Sequence, residues 1–415
     1  MLKRGVIGQL RNGWRRREAV HEKVVWAGVA VLAASMIFSI ALVQVAFAVA
    51  AAAWAWGIVA SKGKSFRRTP LDIPLLAFVA ARCAAIPLSI DPALSLPALH
   101  KEIVFYLLFF VVTHAIRFDA MEEEITVLWK ITVAAAVIAA LYGSVKYLVG
   151  AEARASSSTS GYYTLGLYLS LVLPLALFSG GRRGFLESRV AWIASCLAIA
   201  AGIIFTFDRL HWVGMAAAIV IAGIVRERKL ILGFVVVMVI LAVSVPDIAH
   251  RLLQLAAVGS NTSGRDVLWR GAWMLAGQHP VFGFGLRTFP AIFPLRDMLA
   301  DPGIGSWHND YVQVYMDSGL TALVCLAIVI AAVYRQAWKA FRSGCLTPGE
   351  RNILAGSLVS LTLVFLMGGF LDILAGLLVR ILLAVVALLA VRSTQLREAK
   401  EETQGGMPLS HVVPL

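Results

Sequence analysis

The sequence is poor in cysteine and in charge. Only 4 cysteines occur among 415 residues; Cys83, Cys196 and Cys325 stand in apolar runs and Cys345 in a basic connection, with no C-x-x-C spacing. Neither a disulfide framework nor a zinc site is expected from such a pattern. Charged residues make up 15% of the chain against 60% apolar ones, a ratio that excludes an ordinary soluble domain. No internal repeat, heptad array or Walker-type phosphate loop is present, so a nucleotide-driven activity has no footing and no cofactor is expected.

What is present is apolar sequence in long runs. Intervals at 24–40, 43–60, 71–90, 98–116, 124–149, 162–179, 190–207, 211–225, 230–245, 319–334, 352–370 and 372–391 are each close to the ~20 residues that span a bilayer as a helix. The expectation is an all-α polytopic membrane protein with about 12 transmembrane helices, 1–415 forming a single membrane-embedded domain. The first two intervals are one unbroken apolar stretch, split by a tight hairpin near Leu42.

The net charge of +13 would suggest nucleic acid in a soluble chain, but its placement explains it better. Of 37 Lys and Arg, 25 fall on alternate connections: before Val24, in 61–68, at Arg117, in 182–189, in 226–229, in 335–351 and after Ala390. The positive-inside rule then puts both termini, including a polar tail 392–415, in the cytoplasm, and the long excursion 246–318 outside. Membrane lipids are the expected surroundings, nucleic acid is not a partner, and a monomer is expected.

The outer segments carry Arg154, Arg209, Arg251, Arg265, Arg270, Arg287 and Arg296 and no lysine. Guanidinium forks suit bidentate contacts to phosphate or carboxylate, so an anionic ligand is indicated. Arg251, Arg270, Arg287 and Arg296 are assigned to lipid headgroups. Arg209 is not, because Phe207–His211 is the whole link between two intervals and cannot leave the membrane surface. Arg82 and Arg380 fall inside intervals and should point into the protein or a wet cavity.

Within the excursion, 263–276 has helical spacing of Trp269, Trp273 and Ala276 behind a serine cap, and His279-Pro280 stops it. A second helix is expected to start from Ser306 and run through His308, which places the imidazole in a first turn, where the amino-end dipole disfavours its protonated form. His308 is the candidate general base, with Tyr311 and Tyr315 on its side of the helix. A simpler reading of Trp307, His308 and Tyr311 is an interfacial aromatic anchor.

These residues together resemble the O-antigen ligase and polymerase superfamily of bacterial envelope enzymes. Its ligase-type motif is matched by His308-Asn309, nine residues to Ser318, Gly319, Leu320-Thr321 and, departing at the last position, Ala322. Arg209 with Trp212 and Gly214 matches a second element, although Asp208 replaces a small hydroxyl residue; Arg265, Trp269, His279-Pro280, Gly283 and Gly285 match a third. The resemblance implies a GT-C-type glycosyltransferase that takes a glycan from undecaprenyl diphosphate on the periplasmic side of the inner membrane, without metal. It implies His308, Arg265 and Arg209 as catalytic residues, and Asn309, Tyr311, Tyr315, Arg82, Arg154 and Arg380 as substrate-binding ones. The favoured acceptor is lipid A-core. A polymerase, a protein O-oligosaccharyltransferase, or a transporter of anionic lipid-linked sugars are the competing expectations.

Overall fold

The computed structural model describes residues 6–158, 161–180, 188–256, 264–299, 301–374 and 376–405, with the side chains of 100–105, 254–256 and 403–405 left aside. The described residues form helices and no β-strand. The first nine are α1 (Val6–Arg15), α2 (Val20–Ser35), α3 (Ile40–Ala60), α4 (Asp72–Ala84), α5 (Pro92–Ala115), α6 (Met121–Leu148), α7 (Tyr162–Ser179), α8 (Arg189–Phe205) and α9 (Arg209–Val225). There follow α10 (Lys229–Ser244), α11 (Pro246–Ala256), α12 (Arg265–Leu275), α13 (Phe289–Ile292), α14 (Asp310–Arg342), α15 (Pro348–Met367) and α16 (Leu377–Gly405).

Every one of the twelve apolar intervals contains a helix, yet among the described residues six are long and apolar enough to cross a membrane: α3, α6, α7, α14, α15 and residues Leu377–Glu402 of α16. A seventh is counted if Lys229–Ser244 and Pro246–Leu253, bent by 112°, are one span. The short helix α4 falls short for a visible reason. With 13 residues, α4 reaches about 20 Å at 1.5 Å per residue, and the chain from Ala85 to Ile90 that was expected to continue it is irregular. The break between α2 and α3 lies at 36–39 rather than at Leu42, because the Ser39 side chain caps α3 by accepting from the Leu42 N–H. At the other end, 392–405 of the polar tail continues α16 as helix.

Burial sorts the helices. In α7 and the apolar part of α16, most residues are buried on all sides, as expected of central helices whose pattern shows no polar stripe. By contrast α10 has no buried residue, and leaves Val235, Val236, Val239 and Val243 open. So large an exposed apolar surface fits a lipid environment.

The connections gather in two groups. In the basic group, Arg17 forms a bidentate pair with Glu124 at 2.9 Å, Arg16 meets Glu123 at 2.7 Å, and Thr347 donates to Glu122 at 2.7 Å. In the other, Ala155 N–H donates to Phe205 at 2.8 Å, Ile90 N–H to Phe284 at 3.0 Å, and Asp310 N–H to Gly368 at 2.7 Å. The second group contains the candidate site.

A small core of its own rigidifies the excursion 264–318. Trp307 is fully buried and meets Phe289 and Phe293 edge-on, with Leu268, Phe284 and Met316 beside them. This burial excludes a Trp307 anchor in a lipid headgroup layer. The strap 280–285 is tied to α14 where that helix breaks: Phe284 N–H donates to Met316 at 2.7 Å and Leu320 N–H to Pro280 at 2.8 Å. Gly319 makes the break, with φ 68° and ψ −168°, and a Cβ there would come within 2.2 Å of the Val281 carbonyl. Only glycine adopts that region without strain of about 1–3 kcal/mol. Gly319→Ala is therefore expected to destabilise the protein by at least that amount, measured as a lower unfolding temperature in detergent. Unchanged stability would mean that the break is not required. Ala322, one turn on, is fully buried, so the departure from the motif there is a packing change.

Candidate functional site

His308 does not sit in a first turn. The helix begins at Asp310, capped by Asn309, whose Oδ1 accepts from the N–H groups of Tyr311 and Val312 at 3.0 and 3.1 Å. Ser306, the expected cap, donates its hydroxyl at 2.5 Å to Asp372 Oδ2 instead. His308 thus precedes the helix in a left-handed conformation, φ 47°. The dipole argument for its role does not apply. What the structure supplies in its place is a carboxylate: His308 Nδ1 lies 3.4 Å from Asp372 Oδ2.

Asp372 belongs to the irregular connection 368–374 that follows α15, and several candidate residues attach to that connection. The Arg265 Nε donates at 3.2 Å to the Phe370 carbonyl, while the Trp269 ring, one turn along α12, meets the Phe370 ring. Asn309 Nδ2 donates at 2.7 Å to Gly369. Asp310 Oδ2 accepts from Ile373 and Leu374 N–H at 2.9 and 3.0 Å. His308 and Arg265, forty-three residues apart in sequence, are held on one short loop by these bonds. The serine proposed to cap α12, Ser263, lies outside the described residues; Gly264 stands at its N-cap.

Arg209 starts α9, and Asp208 caps that helix by accepting from the N–H groups of Leu210 and His211. The unexpected acid therefore performs the capping that a hydroxyl residue would, and adds a contact of 3.2 Å to the buried His211 imidazole. Burial works to raise the Asp208 carboxyl, but His211 and the two N–H groups outweigh it and hold the acid at about 2. A carboxyl lowered on folding stabilises the folded chain above its ordinary pKa of about 3.9, and that contribution fades as pH falls towards 2. Asp208→Asn should accordingly flatten the pH dependence of unfolding between about pH 5 and 2; an unchanged profile would remove this assignment.

Arg154 and Arg209 lie close enough to act through charge on Arg251, whose Nε donates at 3.0 Å to the Phe207 carbonyl. Arg154 also covers the Tyr162 ring at 4.5 Å. Arg251, assigned to lipid from sequence, instead joins a three-arginine group with Asp208 within its reach. This group connects to the histidine through Tyr163, whose ring meets His211 at 5.6 Å and which lies within electrostatic reach of Asp208, Asp310 and Asp372.

On the other side of Asp372 is a cavity of about 750 Å³. Arg82 and Arg380, both 5% exposed, line it as their intramembrane positions suggested, together with Asp310, Asp317 and Arg287, another arginine that sequence assigned to lipid. Arg82 pairs with Asp317 at 3.2 Å, and Arg380 covers the Tyr106 ring at 4.3 Å. Tyr311 and Tyr315 donate their hydroxyls to the Phe365 and Ala276 carbonyls at 2.5 and 2.6 Å. Those two tyrosines and Asn309 brace the helix that follows His308.

Asp372, Arg251 and Arg287 were missed as site residues. The only sequence signal for Asp372 was an acid at the edge of an apolar interval, where charge is expensive unless it is used.

No curated protein matches the chain. Residues 174–327, a segment that contains Arg209, Arg265, His308 and the glycine break, match the family model described as O-antigen ligase.

Proposed function

We propose that the protein is an O-antigen ligase, transferring O-polysaccharide from undecaprenyl diphosphate to a sugar hydroxyl of lipid A-core at the periplasmic face of the inner membrane. The family implies glycosyltransferase-like ligase or polymerase activity on lipid-linked glycans. The observation that carries the finer reading is the His308–Asp372 pair at 3.4 Å on the same connection that anchors Arg265. The two groups of connections, one rich in basic residues, support the sidedness, and the six helices long and apolar enough to cross a membrane among the described residues support a polytopic arrangement, which we read as GT-C-type.

A sugar ester of a diphosphate already carries a good leaving group. Asp372 accepting from Nδ1–H leaves the other imidazole nitrogen of His308 as the proton acceptor. The acceptor hydroxyl oxygen forms the new bond to the anomeric carbon as its proton passes to His308, and the bond from that carbon to the diphosphate breaks. Displacement from the opposite side inverts the anomeric centre. The negative charge that develops on the diphosphate is met by Arg209 and Arg265, with Arg154 behind them, groups fixed before the reaction by their contacts to the protein. A contact of 3.4 Å is long for a hydrogen bond, as is common before substrate tightens a site.

The test is transfer by the purified chain given undecaprenyl-linked glycan and lipid A-core. Product on the core supports the ligase. Product on another lipid-linked glycan would make it a polymerase, and no covalent product in a preparation that still binds donor would favour a transporter.

A further inference from the structure

The short helix α12 is held at both ends close to where candidate spans finish. At its start, Arg265 Nε donates to the Phe370 carbonyl at 3.2 Å and the Trp269 ring meets the Phe370 ring, three residues beyond the end of α15. Just past its other end, the Ala276 carbonyl accepts from the Tyr315 hydroxyl at 2.6 Å. The strap that follows is then tied through Pro280 and Val281 to Leu320 and Thr321, where the apolar stretch of α14 begins. A helix pinned in this way bridges the ends of α15 and α14, and so runs along the membrane surface rather than away from it.

One face of α12 packs on the protein, with Leu268, Ala272 and Leu275 buried in the small core beside Phe284 and Met316. The opposite face carries Trp269, Arg270, Trp273 and Met274, all exposed, Trp273 at 84%. Residues one turn apart on a helix are neighbours, so these four form one patch. Asp266, the acid on that face, stands in the first turn, where the helix dipole favours it. The apolar exposure does not stop at α12. Val281 and Phe282 continue it along the strap to Leu320, from which Leu320, Val324 and Ile328 form an exposed stripe at one-turn spacing along the α14 span. At the other end, Phe370 is exposed four residues after the exposed Leu366 of α15. Lipid covers such stripes on spanning helices, and the α12 patch joins one to the other. Tryptophan with arginine between, at the level where spans end, is the composition of a helix lying at the headgroup boundary.

We infer that the exposed face of α12, with Val281 and Phe282 of the strap, is a docking surface for the phospholipid layer, seated at the boundary between headgroups and acyl chains, and that this seating holds Arg265 at the depth of the lipid phosphates. The indoles of Trp269 and Trp273 occupy the boundary, and Arg270 between them meets phosphate groups. The part given to Arg265 rests on the transfer reading. The docking surface itself does not depend on it.

The test uses the full chain in phosphatidylcholine discs, with Cys83→Ala, Cys196→Ala, Cys325→Ala and Cys345→Ala removing the native thiols. A nitroxide is attached through Trp273→Cys and, in a separate protein, through Met274→Cys, two positions so that the reading does not hang on either substitution. Val324→Cys on the α14 stripe and Glu401→Cys on the exposed polar end of α16 give the references for lipid and for water. Molecular oxygen is expected to relax the labels at 273 and 274 more than a water-soluble nickel chelate does, as at 324, with the order reversed at 401. Nickel ahead of oxygen at 273 and 274 would put the face in water. Spin–spin broadening between labels, or shielding from both reagents, would put a second copy or another protein surface there; each of these results overturns the inference. On the chain with its native cysteines, Trp273→Asp should raise the donor KM several-fold at constant kcat, because a carboxylate is disfavoured at the lipid boundary. An unchanged donor KM would overturn the part given to Arg265. A wild-type chain that transfers nothing while its labelled forms sit in lipid would instead sink the transfer reading and leave the docking surface standing.

Discussion

His308→Ala is expected to lower kcat by roughly 10²–10⁴-fold, the usual contribution of a positioned general base, while donor binding and insertion persist. The residue stands outside the helix it precedes and donates to no core contact, with its side chain 39% exposed, so its removal leaves the packing around Trp307 intact. Asp372→Asn should reduce kcat too, through the orientation of the imidazole, with little change in donor KM. The signature that separates this positioning role from a structural one is a loss confined to kcat with the unfolding temperature unchanged, because asparagine at 372 keeps the size of the side chain but cannot favour the imidazolium that forms as the proton is taken. Wild-type turnover by His308→Ala, measured with saturating donor, would remove the base assignment.

Arg265→Lys is expected to cost about 10²–10³-fold in kcat/KM, comparable to removing an oxyanion donor. One edge of this guanidinium is spent on the Phe370 carbonyl through Nε at 3.2 Å. The terminal nitrogens remain to face the diphosphate, and a lysine ammonium cannot hold the loop and fork a phosphate at once. The loss should appear whatever the acceptor concentration. Equal rates for lysine and arginine at 265 would argue against bidentate phosphate recognition.

Sequence legibility differed between the framework and the site. Apolar run length located helices at all twelve intervals because it reports a backbone requirement that each segment meets alone. Positions decided by competition between distant groups were not visible. Ser306 and Asn309 are equally good caps by residue type, and the start of α14 at Asp310 follows from Asp372 taking the Ser306 hydroxyl. Asp372 itself was hidden because the apolar stretches 352–370 and 372–391 leave only one residue between them. The folded chain opens 368–374 into a connection, since Asp310 draws the Ile373 and Leu374 N–H groups out of helical pairing. Likewise Arg251 and Arg287 read as lipid-facing residues, because nothing local shows that one lies beside Arg154 and Arg209 and the other lines a cavity. The glycines were legible as flexible points, but the mutual packing of the 280–285 strap with the Gly319 break is a tertiary fact.

A structure of the protein with undecaprenyl diphosphate bound tests the central claim most directly. The account expects the diphosphate to lie between the guanidinium groups of Arg209 and Arg265, with the His308 imidazole turned towards its terminal phosphate. A diphosphate seated instead against Arg82 and Arg380, or among the basic connections around Arg16 and Arg17, would contradict it.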